Sequence, residues 1–385
     1  MAAGLGFAWH PQAKLFDAAG QAIARAHPLS GVIADRPAGA ALAALGAPAF
    51  RIGGEGPAPE AGPQPVFETL TGGSSGAPRR IRRSQASWIA SFAVNARLFG
   101  IGPDSRVAIL GQLIHSLALY GAVEALHLGA ELHLLEGLRP DRQRDALARR
   151  RVGLLYATPA QLRLLVAAGG APLPDLSVVL VGGSKLDPAL RKALAQMAPL
   201  CAVHEFYGAA EASFITLAGP ETPEESVGAP YPGVDLRVID GEVWVKSPYL
   251  FEAYASDAGS ARWQDGWLSV GERGALRDGH LYLAGRTSRM VKVADQAVYP
   301  EEIETFLLSQ AGVTQAAVLP RPDGLRGVHL VAVVQGDEGQ AAAIGRALRA
   351  KFGPLKAPKS LIWRDSFALL PSGKPDLVRF GEDLP

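Results

Sequence analysis

The stretch VAILGQLIHSLALYGAVEALHLGAELHLL, residues 107–135, decides how the chain folds. It is the longest apolar region, yet Gln112, His115, Glu124, His127 and Glu131 interrupt it too often for about 20 consecutive lipid-facing residues. A strand, a helix and a second strand accommodate the same residues. VAIL (107–110) and ELHLL (131–135) are short apolar runs, and the interval between them has helical length. The texture continues to residue 200, with GLLY (153–156) and VVLV (178–181) separated by helical segments, which predicts a doubly wound sheet.

Working outward, residues 15–26 carry a helical pattern, residues 31–34 a short apolar run and residues 38–45 a second helical pattern, so a βαβ layer and a partly parallel sheet are expected near the start. GGEGPAPEAGPQP (53–65) is too rich in Gly and Pro for a helix or inner strand and reads as an exposed connector. Beyond Gly228 the alternation turns to period two, as in VDLRVI (234–239) and GEVWVK (241–246), the mark of antiparallel strands. After Arg286 comes a helix opened by Pro300 with Glu301 and Glu302 in its first turn, then apolar runs at 316–319 and 328–334, then a helix over 340–352. That composes a compact α+β unit of about 100 residues.

With 385 residues, 48% of them hydrophobic, the chain can bury a large core and a smaller second one. A net charge of +1 supplies no field for nucleic acid or an anionic membrane and fits a small neutral or anionic substrate better. The single cysteine, Cys201, excludes an internal disulfide; its apolar surroundings (198–203) predict a buried, inert thiol. The start MAAGLGFAWH lacks the basic head, apolar run and cleavage site of a secretory signal, so a cytoplasmic protein is expected.

Thr71-Gly72-Gly73-Ser74-Ser75-Gly76-Ala77-Pro78-Arg79 follows the apolar pair Val66-Phe67. Three glycines, three hydroxyls and a terminal cation can offer N–H and O–H groups to phosphate oxygens. No Gly-Lys-Ser/Thr closes the loop and no G-x-G-x-x-G spacing occurs in it, so it is neither of the two commonest nucleotide loops. By itself it is equally a flexible surface turn. The segment resembles the phosphate loop of the adenylate-forming (ANL) superfamily of acyl- and aryl-CoA ligases, peptide-synthetase adenylation domains and luciferases, roughly T-S-G-T-T-G-x-P-K. Gly72 stands for the second hydroxyl residue and Arg79 for the Lys, and the resemblance implies contact with the β- and γ-phosphates of ATP.

Other segments resemble that family in the same order. Tyr207-Gly208-Ala209-Ala210-Glu211 is similar to Y-G-x-T-E, which implies an aromatic ring on adenine and a Glu211 carboxylate for Mg²⁺; Ala210 lacks the usual hydroxyl. Gly182-Gly183-Ser184 resembles the segment whose backbone lines the adenine and acyl pocket, which implies Gly183, Ser184, Tyr207 and Gly208 at the nucleotide and Gly182, Gly183, His115, Tyr207, Gly208 and Ala209 around the substrate. The fragments at 266–274, 279–286, 290–292 and 298–304 follow one family pattern; Glu272 then takes the ribose-chelating place, Arg286 the cation near ribose and α-phosphate, and Ser288 the hinge. Lys374, in Pro371-Ser372-Gly373-Lys374, resembles the terminal Gly-Lys loop whose lysine meets the acid's carboxylate and the α-phosphate.

The resemblance implies an α/β fold: a large N-terminal domain (1–286) of doubly wound mixed sheets plus antiparallel strands, and a small mobile α+β C-terminal lid (287–385). It implies an enzyme that activates a carboxylic acid with ATP and Mg²⁺ as an acyl-AMP and passes the acyl group to CoA or to the phosphopantetheine of a carrier protein. His115 stands where amino-acid-activating members carry an Asp, and a buried ammonium without an anion is costly, so an aryl or fatty acid is favoured over an α-amino acid. Only 70 residues precede Thr71, so a shortened N-terminal subdomain is expected, and Asp295 replaces a glycine beside the family's pantetheine tunnel. A catalytically degenerate member that only binds nucleotide or acyl-AMP is the competing reading.

Overall fold

The computed structural model describes residues 5–70, 79–255, 261–293, 296–324, 327–370 and 374–384. The chain starts with a β-hairpin, β1 (Lys14–Phe16) and β2 (Ala22–Ile23), paired Leu15 to Ile23 and Phe16 to Ala22. This corrects the helix expected over 15–26. Gly20 sits at φ 89°, in a turn closed by its N–H on the Asp17 carbonyl, and β1 gains a parallel partner at the edge of the large sheet. Cross-strand bonds there outweigh the helical propensity of the alanines.

The expected parallel layer follows: β3 (Gly31–Ile33), α1 (Ala38–Ala41), β4 (Ala49–Ile52) and β5 (Val66–Leu70), with β6 (Arg80–Ser84) returning antiparallel to β5. The Gly/Pro connector between β4 and β5 has no regular structure, and a buried cation organises it. Arg51, 1% exposed, pairs with Glu68 at 3.0 Å and donates to the carbonyls of Gly53, Gly56 and Pro57, whose oxygens no helix or ladder could satisfy.

Next come α2 (Gln85–Phe99), β7 (Arg106–Ile109), α3 (Ser116–Leu128), β8 (Glu131–Leu134), α4 (Pro140–Arg149), β9 (Leu154–Ala157), α5 (Pro159–Ala167), β10 (Val178–Val181), α6 (Pro188–Met197), β11 (Ala202–Ala209), β12 (Ser213–Ala218) and β13 (Ala229–Pro230). The helix ends obey local chemistry: the Ser84 hydroxyl and the Asp187 carboxylate cap α2 and α6, and Thr158 with Gln161 forms a capping box on α5. The sheet order is β13-β12-β11-β10-β9-β7-β8-β1-β2, and β8, β7, β9, β10 and β11 run parallel. Side chains alternate between its faces. Val107, Ile109, Tyr156 and Leu180 join the core under α2 and α3, while Ala108, Leu155, Val179 and Val181 join a separate core under α4, α5 and α6. Cys201, expected to be buried, is half-buried at the margin of that second core beside exposed Leu200, and burial pushes its thiol up to about 11, so it stays protonated.

The period-two region supplies β14 (Asp235–Ile239), β15 (Glu242–Lys246), β16 (Ala253–Tyr254), β17 (Trp263–Gln264), β18 (Trp267–Arg277) and β19 (His280–Arg286). All but β16 form an antiparallel sheet; β16 instead pairs with β6. A 3₁₀ turn, Thr287–Arg289, leads to β20 (Val291–Val293), β21 (Gln296–Val298), α7 (Pro300–Leu308), β22 (Val313–Asp323), β23 (Gly327–Gly336), α8 (Ala341–Lys356), β24 (Ser360–Trp363) and α9 (Leu377–Asp383). Here too alternation divides the core: Val318 and Ala332 pack with Ile303 and Leu348, and Ala317 and Val333 pack with Phe380. Among the described residues no helix is long and apolar enough to cross a membrane.

Candidate active site

In the large sheet β7 is the switch point: its chain leaves through α3 to β8 on one side, and β9, reached through α4, lies on the other. Connections that diverge to opposite faces leave a crevice at the carboxyl ends of such strands. A cavity of about 650 Å³ occupies it. Ile109 at the end of β7, Gly111 and Gln112 beyond it, Thr158 beyond β9, Gly183 beyond β10, Phe206, Gly208 and Ala209 of β11 and Ala210 just after it line it, and Trp88, Tyr120, Tyr156 and Phe214 make aromatic walls. His115, at the N-cap of α3, and Lys374 both reach the same cavity.

The glycines at this end are sterically required. Gly183 has φ 98°, and a Cβ on Gly208 would lie 2.3 Å from the Ser213 carbonyl oxygen. Behind His115, Ser116 Oγ donates to the Leu70 carbonyl at 3.0 Å and lies 2.9 Å from Thr69 Oγ1, and Leu70 forms a parallel bridge with His115. The last residue of β5, from which the 71–79 segment departs, is thus fastened to the start of α3. Burial lowers the His115 pKa from its ordinary value, so the ring is neutral at pH 7.

Beside the cavity stands a charged group. Glu211 accepts from Tyr254 Oη at 2.9 Å and pairs with Arg79 at 3.5 Å, and the Arg79 guanidinium lies 4.4 Å from the centre of the Tyr254 ring. Glu272 and Arg286 face each other in register across β18 and β19, with Nε donating to Oε1 at 2.9 Å. Burial pulls the Arg286 pKa down, but Glu272, together with Tyr207 and Glu211, outweighs it and the net direction is upward. On the backbone beside Lys374, the Leu370 N–H donates to the Lys374 carbonyl at 2.8 Å and Leu369 bridges Pro375. Burial and then the Arg286 cation pull its ammonium down to about 8, against Glu272 and Glu211. Leu369, Leu370 and Lys374 line the same cavity as His115, so Lys374 is at the site in this conformation.

A sequence profile of the AMP-binding enzyme family matches residues 14–255, and that of the AMP-binding enzyme C-terminal domain matches residues 302–374. The chain belongs to the AMP-binding enzyme family. An uncharacterized acyl–CoA ligase, YhfT of Bacillus subtilis (strain 168), is 33% identical over 335 residues, 83% of this chain and 68% of that protein. A putative long chain fatty acid-CoA ligase, VraA of Staphylococcus aureus (strain COL), is 27% identical over 278 residues, 70% of this chain and 60% of the relative, so the chain spans roughly two thirds of these curated lengths. Among solved structures, the amide bond synthetase McbA from Marinactinospora thermotolerans superposes with a TM-score of 0.72 at 25% identity, covering 91% of this chain and 78% of that one. These neighbours share the AMP-binding enzyme fold, a large N-terminal domain and a small C-terminal one.

Set against the family pattern, the residues take different places. His115, Gly183, Gly208, Ala209 and Lys374 meet at the cavity; Arg79 and Glu211, and Glu272 and Arg286, form two pairs beside it. Thr71, Gly72, Gly73, Ser74, Ser75 and Gly76 lie outside the described residues, as does Asp295. The rest sit at the edges: Gly182 backs onto the Phe206 ring, Ser184 is exposed beyond β10, and Ser288 is exposed in the turn after β19. Tyr207, placed by motif in both nucleotide and acyl pockets, is absent from the cavity wall. Alternation along β11 gives that place to Phe206, and the buried Tyr207 hydroxyl has no hydrogen-bond partner among the described residues. Phe206 was legible one step before the motif; Tyr254, which holds the Glu211 carboxylate, had no local signal, because its proximity arises from β16 pairing with β6.

The site suits the family's ligands. Mg²⁺ takes one or two carboxylates and fills its shell with phosphate oxygens and water, which matches a lone Glu211 beside Arg79; among the described residues no group of three ligating side chains could hold an ion without phosphate. The Tyr207 hydroxyl, unpartnered among the described residues, and the Glu272–Arg286 pair offer polar atoms to a nucleoside.

Proposed function

We propose that the protein is an ATP-dependent acid:thiol ligase, which activates an aryl or fatty acid as the acyl-AMP and transfers it to CoA or a carrier-protein phosphopantetheine. The observation that carries this is Lys374 in one cavity with His115 and under the influence of Glu211, Glu272 and Arg286. The acid lies along the aromatic walls with its carboxylate toward Lys374. Its oxygen attacks the α-phosphorus, the bond to the bridging oxygen breaks, and pyrophosphate leaves. Charge gathers on the phosphorus oxygens, where Lys374 and Arg286 are already oriented and need little rearrangement. Glu211 would hold Mg²⁺, whose charge offsets that of the triphosphate, while Glu272 takes the ribose hydroxyls. In the second step a thiol sulfur attacks the acyl carbon, the acyl–phosphate oxygen bond breaks and AMP departs, the thiol proton passing to water.

In this reading residues 1–286 carry the nucleotide and acid, residues 287–385 form the lid, and the exposed Ser288 turn is the pivot that removes Lys374 between the half-reactions. The neutral His115 at the mouth of the acyl cavity, with no carboxylate among the cavity's described walls except Glu136, supports an acid without an α-ammonium group. The acceptor is CoA by the names of the ligase relatives, and a carrier protein is the alternative.

ATP–pyrophosphate exchange with a panel of aryl, fatty and amino acids tests the reading. Exchange with aryl or fatty acids and none with amino acids is expected. Nucleotide binding without exchange for any acid would replace the ligase by a nucleotide-binding module. The pH dependence is a second check. The Lys374 cation is present below its pKa and lost above it, so kcat/KM for exchange falls as pH rises through about 8. Lys374→Arg, charged throughout, removes that alkaline limb if the lysine causes it; an unchanged limb assigns it to another group.

A further inference from the structure

Arg83, in β6, is 0% exposed, yet its guanidinium is held only by neutral groups in the described structure: its terminal nitrogens donate to the carbonyl oxygens of Ala210 and Tyr249, and Nε has no partner. Burying a cation without a carboxylate is costly, and an apolar side chain of similar volume would pack there without that cost. The two carbonyls show what the charge accomplishes. Ala210 immediately precedes Glu211. Tyr249 begins a strap that returns to the same carboxylate: the Phe251 N–H donates to the Glu211 carbonyl at 2.8 Å and Tyr254 Oη to the Glu211 carboxylate at 2.9 Å. The strap is itself paired to β6 through Ala253 with Arg82 and Tyr254 with Ile81. Arg83 therefore closes a ring made of the strand that leaves the 71–79 segment, the turn that carries Glu211 and the strap that orients its side chain. Among the charged groups around it, Glu211 acts on it most strongly.

We propose that Arg83 is a positioning residue, which fixes the Glu211 carboxylate for a divalent cation by clamping the Ala210 and Tyr249 carbonyls to β6. The inference rests on the reading of Glu211 as the metal-binding carboxylate. It separates two functions that share a small volume: Arg79 meets Glu211 from the solvent side, and Arg83 fixes its backbone from within the core.

The test uses the full chain and Mn²⁺ as the probe, measured by electron paramagnetic resonance with a non-hydrolysable ATP analogue, so turnover is not needed. Arg83→Met deletes both donations at similar volume, and Arg83→Lys keeps the charge and can serve one carbonyl. Removing two hydrogen bonds from a charged donor should weaken Mn²⁺ binding about tenfold or more in Arg83→Met, with a smaller loss in Arg83→Lys and metal-free binding of the analogue within about twofold of wild type. Mn²⁺ binding equal to wild type in folded Arg83→Met, even with a lowered melting temperature, would show a purely structural role and overturn the proposal. Should Arg83→Met not fold, Arg83→Lys decides in the same way: weakened Mn²⁺ binding supports the clamp and wild-type binding overturns it. Absence of Mn²⁺ binding in the wild type with the analogue would instead sink the Glu211 assignment.

Discussion

Lys374→Ala is expected to reduce ATP–pyrophosphate exchange by about 10²–10³-fold while leaving thiol transfer from supplied acyl-AMP within a few-fold of wild type. The magnitude follows from removing one pre-oriented cation from a site where charge develops. The asymmetry follows from the proposed mechanism: Lys374 belongs to the segment beyond Ser288 and lines the cavity, with Arg286, Glu272 and Glu211 acting on its charge, and there it is proposed to serve the phosphorus chemistry. Burial already costs this ammonium part of its charge, and Ala removes that cost, so the variant should melt no lower than wild type. Equal loss of both half-reactions would mean that the lysine shapes the site as a whole and would refute its assignment to adenylation.

The second large effect is expected at Glu211. Glu211→Ala removes the carboxylate that Tyr254 Oη and Arg79 both contact, and exchange at ordinary Mg²⁺ should fall by about 10²-fold or more. Glu211→Gln separates charge from shape: its amide oxygen still accepts from Tyr254, so the fold is kept, but a neutral ligand holds a hard cation poorly. The rate in that variant should recover partly as Mg²⁺ is raised. Wild-type exchange by Glu211→Gln at wild-type Mg²⁺ would remove this residue from the metal site.

The alternation of short apolar runs with helices made the large sheet legible, because strands buried on both faces need continuous apolar residues and the helices that cover them need a 3.6-residue period. The hairpin near the start was not legible. Its alanines favour a helix locally, and only the edge of β8, more than a hundred residues away in sequence, makes Lys14–Phe16 extended. The site divides in the same way. Glu211, Glu272, Arg286 and Lys374 sit in spaced motifs that can be read in order along the chain, whereas Arg83 and Tyr254 depend on the pairing of β6 with β16, a contact across some 170 residues that no local pattern encodes. Phe206 lies between: strand periodicity alone would have exchanged it for Tyr207 on the acyl side.

The fastening of Leu70 to His115 and Ser116 has a mechanical consequence. One beam carries both the root of the glycine-serine segment and the threshold of the acyl chamber, so neither can tilt without the other. In the proposed ligase, a carboxylic acid of the wrong outline, wedged against the first turn of that helix, would disturb the residue from which the glycine-serine segment departs as well as its own chamber.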